Sequence, residues 1–180
     1  YLKKKYKSDE ILSYLKKINK QRILIFGESI IDKYVYCDVL GKSGKEPYLA
    51  YKRKNEQFFL GGSVAIANQI YQFNKKVTLL CNIKKNSLEE KFVNKKISDK
   101  FKIIPLDNFH ENIVKTRYLE KVTNIKVFGC YDIDDLSYTK KQINNFLKLI
   151  SKLAKKNDML VICDYGHGLI NKELSSKISK

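Results

Sequence analysis

Asp32 is the first residue in the chain whose type and position suggest chemistry. It lies five residues past Gly27, at the exit of the apolar run RILIFG. A carboxylate there can accept two hydroxyl hydrogen bonds, which suits a polyol; the plain alternative is an aspartate in a solvated turn. Gly61 and Gly62 stand directly before the helix-spaced run SVAIANQI. A helix N-terminus leaves N–H groups unpaired and carries partial positive charge, and glycine lets a ligand approach the backbone. The alternative is a turn that needs positive φ. In IVKTRYLE, Lys115 and Arg117 alternate, so both lie on one face of a strand, where two cations could hold a phosphate. A merely solvated surface explains Lys115, one of many lysines, better than Arg117, since Arg22, Arg53 and Arg117 are the only arginines. Asp164 ends the apolar run VIC before the glycine-rich YGHG, a place where a carboxylate either touches a ligand or caps the turn.

Other reactive residues form no pattern. His167 has no serine or cysteine at an elbow spacing, and His110 has no partner. Asp132, Asp134 and Asp135 lack the glycine and terminal glutamate of a calcium loop and read as a hairpin end before a helix start. Cys37, Cys81, Cys130 and Cys163 form no C-x-x-C pair and sit in or beside apolar runs. They read as four buried, reduced thiols, with no metal and no disulfide, which points to the cytoplasm.

The elements that must position these groups follow from periodicity. Ser8 is placed to cap a helix with Ile11, Leu12, Leu15 and Ile18 on its apolar face. RILIFG, KVTLLCNI, FKIIPL and DMLVIC read as buried strands alternating with helices. One helix follows Gly62 to about Phe73, one opens at the capping box Ser87/Glu90, and one opens at Thr139/Gln142. KYVYCDV, PYLAYKRK, EQFFL, IVKTRYLE and NIKVFGCYD are shorter strand-like pieces outside this rhythm, the last two joined by a hairpin at Lys121 to Thr123. The expected fold is a parallel α/β sheet with helices on both faces and a small second β sheet from about 33–59 and 112–130. In such folds ligands bind beyond the carboxyl ends of the strands, where Asp32, the glycine pair and Asp164 all fall.

Composition narrows the classes. The 180 residues suffice for one domain, and 43% hydrophobic content is ordinary. No apolar run approaches the roughly 18 to 20 residues of a membrane span, and the basic N-terminus has no signal-peptide core. Net charge is +17 with a pI near 9.6. That charge is nearly all lysine, spread over every segment, whereas phosphate and nucleic-acid sites favour arginine. The composition therefore argues against nucleic acid as a partner.

Together these pieces resemble the ribokinase-like (PfkB) carbohydrate kinases, and among them the heptose-phosphate kinase domain of bifunctional ADP-heptose synthases. ILIFGESIIDKYVY resembles the opening strand, sugar-binding aspartate and first lid strand; SGKEPYLAYK a Ser-x-Glu-x-Pro lid segment; FFLGGSVAIANQI the Gly-Gly signature; IVKTRYLE a Lys-x-Arg strand; VICDYGHGLI an Asp-Tyr-x-x-Gly strand end. The resemblance implies that Asp32, Gly61 and Gly62 contact a sugar or sugar phosphate beneath a β lid, which in this family often makes a homodimer contact. It also implies phosphoryl transfer from ATP with Mg²⁺. Two positions depart from the pattern. Ala65 stands where the signature carries Asn, leaving Asn68 one turn on as the candidate, and Glu28 stands where the heptose kinases carry Asp. The family's downstream Asn-x-x-Glu and Gly-Ala-Gly-Asp motifs, which serve magnesium, phosphate and the catalytic base, do not occur. The chain is therefore expected to be the N-terminal part of one kinase domain, lacking the catalytic residue and inactive alone. A sugar- or nucleic-acid-binding module without chemistry, and a nucleoside kinase of the same fold, are the alternatives.

Overall fold

The apolar run near the N-terminus is continuous because both of its faces are covered. In the computed structural model, which describes residues 6–106, 111–133 and 138–178, it forms β1 (Ile23–Gly27), a central strand buried throughout. Ile23 and Ile25 join one core cluster with Val64, Ala67, Val93 and Ile97; Leu24 and Phe26 join a second with Ile143, Phe146, Ile150 and Leu169. A strand sandwiched in this way needs apolar residues at every position rather than at alternate ones.

In chain order the remaining elements are α1 (Ser8–Ile18), β2 (Ser29–Lys42), β3 (Leu49–Gly61), α2 (Gly62–Ile70), β4 (Val77–Cys81), α3 (Leu88–Ile97), β5 (Lys102–Pro105), β6 (Ile113–Glu120), β7 (Lys126–Asp132), α4 (Lys140–Ala154), β8 (Met159–Cys163) and α5 (Lys172–Ile178). The main sheet has the order β5-β4-β1-β8 with every pairing parallel. The second sheet has the order β3-β2-β6-β7 and is mixed: β2 pairs antiparallel with β3 and parallel with β6, and β6 pairs antiparallel with β7. α2 and α3 cover one face of the main sheet; α4 and α5 cover the other. The α/β layering and the extra β sheet agree with the sequence reading.

Several details differ. PYLAYKRK and EQFFL are one continuous strand, β3, with Pro47 and Tyr48 in the preceding turn. Its register against β2 slips between Tyr36/Cys37 and between Val39/Gly41, so bulges absorb the mismatch that breaks the sequence pattern. Asp32 lies inside β2 rather than in a turn. Ser8 is the first residue of α1 rather than its cap; the Glu10 carboxylate accepts instead from the Lys7 backbone N–H at 3.0 Å. The apolar face of α1 is largely uncovered, with Leu12 53% exposed, and Ile18 alone of the four predicted positions packs on the core. Cys130 is exposed because β7 is an edge strand open on both faces; Cys37, Cys81 and Cys163 are buried. The other two predicted capping side chains do cap their helices: Ser87 Oγ accepts from Glu90 N and Thr139 Oγ1 from Gln142 N. His110, Asp134 and Asp135 lie outside the described residues.

Candidate functional site

Gly27 ends β1 in the main sheet and Ser29 begins β2 in the second, so at this crossing Glu28 is the single residue between the two sheets. Its side chain is fully buried. The carboxylate accepts three backbone N–H bonds from the turn after β8: Tyr165 N to Oε2 at 2.6 Å, and His167 N and Leu169 N to Oε1 at 2.9 and 3.1 Å. The Glu28 carbonyl accepts from Ser63 N at 2.7 Å, and the neighbouring Ser29 N donates to Asn82 Oδ1 at 2.6 Å. Ser63 Oγ donates to the Gly27 carbonyl at 3.1 Å. This junction therefore clamps the ends of β1, β4 and β8 and the start of α2 around the base of the second sheet. Sequence reasoning noted Glu28 only as a variant of Asp and missed this role. A single acidic residue closing a buried strand was the available signal.

The glycine pair is explained at the same place. Gly62 has φ +56, and a Cβ there would lie 2.2 Å from the Glu28 carbonyl oxygen. A Cβ on Gly61 would lie 2.6 Å from Asp32 Oδ2. The doublet thus combines a turn requiring positive φ with a close approach by a carboxylate side chain. The Ser63 amide, which a helix N-terminus would offer to an anion, is taken by the Glu28 carbonyl.

Strand register builds the face above. Asp32 lies opposite Lys115 on β6 and Phe59 on β3; Tyr34 lies opposite Arg117 and Gln57; Tyr131 on β7 lies opposite Lys115. Directly opposed residues share a face, so these side chains project together. Arg117 sits one diagonal step from Asp32, and its Nη1 donates to Asp32 Oδ1 at 2.5 Å. The guanidinium carbon lies 5.6 Å from the Tyr34 ring and 5.7 Å from the Tyr131 ring, and Lys115 Nζ lies 5.8 Å from the same Tyr131 ring. Partial burial alone lowers the Arg117 pKa, but the hydrogen bond and charge of Asp32 outweigh it and hold the value above that of a free guanidinium. Asp32, Tyr34, Tyr36 and Phe59 line a hollow of about 240 Å³. A larger hollow of about 600 Å³ on α4 is a broad, lysine-rimmed surface with no carboxylate or aromatic residue in its lining.

Of the predicted site residues, the structure brings together Asp32, Gly61, Lys115 and Arg117, with Gly62 adjoining. It does not bring Asn68 or Asp164 to this cluster. Asn68 Oδ1 accepts from Lys100 Nζ at 3.5 Å, beyond the far end of α3. The Asp164 carboxylate accepts from Gly166 N at 2.9 Å, so it caps its own turn. Sequence reasoning does not single out Tyr34, Tyr36, Phe59 and Tyr131 for this cluster; they fall in the shorter strand-like pieces, read there for their structure alone.

No protein-family model matches the chain. A bifunctional protein HldE from Aliarcobacter butzleri is 26% identical over 167 residues, covering 88% of this chain and 33% of its own length. A bifunctional protein HldE from Helicobacter acinonychis is 26% identical over 164 residues, covering 88% and 34%. These are distant homologues. Among solved structures, a carbohydrate kinase from Agrobacterium tumefaciens superposes with a TM-score of 0.55 at 13% identity, over 79% of this chain and 45% of that one. Phosphofructokinase-2 from Escherichia coli in complex with fructose-6-phosphate superposes with a TM-score of 0.58 at 11% identity, over 88% and 50%. The fold is ribokinase-like. The chain spans about a third of the curated relatives it matches and about half of these ribokinase-like structures. Among the described residues no helix is long and apolar enough to cross a membrane, and no three His, Cys, Asp or Glu side chains group as a metal site.

Proposed function

We propose that the chain forms the sugar-binding part and lid of an ATP-dependent carbohydrate kinase that phosphorylates a sugar or sugar phosphate of heptose-phosphate type. The observation that carries this reading is the Asp32 carboxylate lying against Gly61 at the base of an aromatic-lined hollow, in a ribokinase-like frame. In this reading Asp32 accepts sugar hydroxyls. Tyr34, Tyr36 and Phe59 cover the apolar C–H surface of the ring and exclude water. Lys115 and Arg117 attract a substrate phosphate. Gly61 contributes by leaving room for the carboxylate.

ATP with Mg²⁺ supplies the transferred phosphoryl group and stabilises its charge when bound. The described residues do not fit that group. The amides of Ser63, Tyr165, His167 and Leu169 at the ends of these strands are taken by Glu28, and that of Gly166 by Asp164. No step through ATP is therefore assigned to this chain. A homodimer through the lid belongs to the same proposal: β7 is exposed along its length, with Phe128 and Tyr131 each 51% exposed. Sedimentation of the parent and a Phe128→Asp variant tests it; an unchanged, monomeric parent refutes it.

Titration calorimetry with sedoheptulose 7-phosphate and mannose 6-phosphate tests the sugar site. Asp32→Asn keeps the shape and removes the charged acceptor. The expected result is a loss of about tenfold or more in affinity, the scale of a charge-assisted hydrogen bond. Binding equal to the parent's removes Asp32, and the assignment, from consideration.

A further inference from the structure

The residue proposed to receive the sugar is already half occupied. Arg117 Nη1 caps Asp32 Oδ1 at 2.5 Å, while Oδ2 faces Gly61. The two side chains are only 25% and 20% exposed, so their attraction is less screened than at an open surface. Lys115, on the same face, has no carboxylate partner among the described residues and leans only on the Tyr131 ring. Around Asp32 this face of the lid therefore carries two cations, Arg117 and Lys115, and one carboxylate; Asp38, further out on β2, is paired with Lys54.

A neutral sugar that claims Asp32 must pull the carboxylate away from Arg117. It offers the guanidinium no charge in return, and a sheltered cation left unpaired is costly. A sugar bearing a phosphate or carboxylate supplies that charge itself. The rings of Tyr34 and Tyr131, each less than 6 Å from the guanidinium, retain the cation at the rim after it leaves the carboxylate.

We infer that Arg117 exchanges partners on binding, from Asp32 to the anionic group of the ligand, so that Asp32 becomes free only for a polyol that also carries a phosphate or carboxylate. This rests on the reading of Asp32 as the sugar acceptor, and it makes Arg117 a specificity-determining residue rather than a second phosphate ligand alone. Arg117 selects against neutral sugars by occupying their acceptor.

The consequence is a crossed effect that a purely structural arginine would not produce. Calorimetry is run on the parent, Arg117→Gln and Asp32→Asn with mannose 6-phosphate, sedoheptulose 7-phosphate, mannose, sedoheptulose and inorganic phosphate. In Arg117→Gln the phosphorylated sugars weaken by about tenfold or more, the scale of one lost charge-assisted bond, while the free sugars bind more tightly than to the parent. Arg117→Lys, which keeps the charge on a more flexible stem, retains a reduced preference for phosphorylated sugars and covers the case in which the Gln variant does not fold. Equal weakening of both ligand classes, or an undiminished phosphate preference in Arg117→Gln, overturns the exchange while leaving the sugar site standing. Inorganic phosphate binding as tightly as the sugar phosphates also overturns it. Asp32→Asn binding like the parent, or no binding by any probe, brings down the sugar-site reading and the exchange with it.

Discussion

Replacing Glu28 by Gln tests whether one buried carboxylate ties the lid to the α/β body. The carboxylate is completely inaccessible and meets three backbone donors at 2.6, 2.9 and 3.1 Å. A Gln side chain keeps one oxygen. Placed at the Oε1 position, that oxygen retains the His167 and Leu169 amides, and the NH₂ group then faces the Tyr165 N–H, donor against donor. One lost bond with its donor left unsatisfied costs about 1–3 kcal/mol. The two retained bonds lose their charge assistance, roughly half of their strength. Relief of a buried charge works in the opposite direction. The net expectation is about 2 kcal/mol, or roughly 4–8 °C in Tm for a chain of this size. Glu28→Ala orphans all three amides and leaves a cavity, so its loss should be larger, on the order of 4 kcal/mol. Calorimetric melting reads the global effect. Amide hydrogen exchange reads the local one, and faster exchange should be concentrated at Tyr165, His167 and Leu169. A Gln variant melting within a degree of the parent, with those amides still protected, would refute the argument that these bonds hold the junction.

The two glycines should fail differently. Gly62→Ala meets the Glu28 carbonyl at 2.2 Å with φ +56 and should lower Tm markedly, whereas Gly61→Ala meets chiefly the Asp32 side chain, with the Ile30 carbonyl less crowded at 3.1 Å, and should lose sugar binding at a smaller cost in Tm; similar losses of stability contradict this. The Arg22 hydrogen bond holds the Asp158 carboxyl down at about 2, below its ordinary 3.8. Its contribution is therefore present above about pH 4 and fades as pH falls through 2, so a Tm difference between the parent and Asp158→Asn seen at pH 6 should vanish in strong acid. Salt should also shrink that difference, because the pair is exposed. Among the cysteines, exposed Cys130 should react first with a thiol reagent, and Cys81, pushed up to about 12 by burial, only on unfolding; mass-mapped labelling at Cys81 in the folded protein speaks against its burial.

The parts of this structure readable from sequence are those whose cause is local. β1 reads as a buried strand because both faces of four successive residues are apolar, and α4 reads as a helix because Thr139 and Gln142 announce its start and Ile143, Phe146 and Ile150 share one face. The second sheet is legible because its short strands stand outside the βα rhythm, while its reading as a lid comes from the resemblance; Lys115 and Arg117 pair because alternation fixes a face. What stayed hidden arises between distant segments. Glu28 meets amides 137 to 141 residues away, and nothing near it in sequence announces them. The role of Gly61 depends on the Asp32 side chain across a strand pair, and the exposure of Cys130 depends on β7 having no neighbour on one side. Asp164 was balanced between ligand and turn because local sequence permits both; the bond to Gly166 gives it a turn role.

At the crossing from β1 to β2 a single residue connects the two sheets, and its carbonyl, its side chain and the amide beside it are all engaged. At this crossing the lid is anchored to the body rather than hinged on a loose loop. Its first pairs, Ile30 with Gly61 and Ile113, move with the body. The ladder is irregular only in the outer half, where the register slips past Tyr36 and again near Leu40. A molecule entering beneath it meets a fixed floor at Asp32 and a less regular tip.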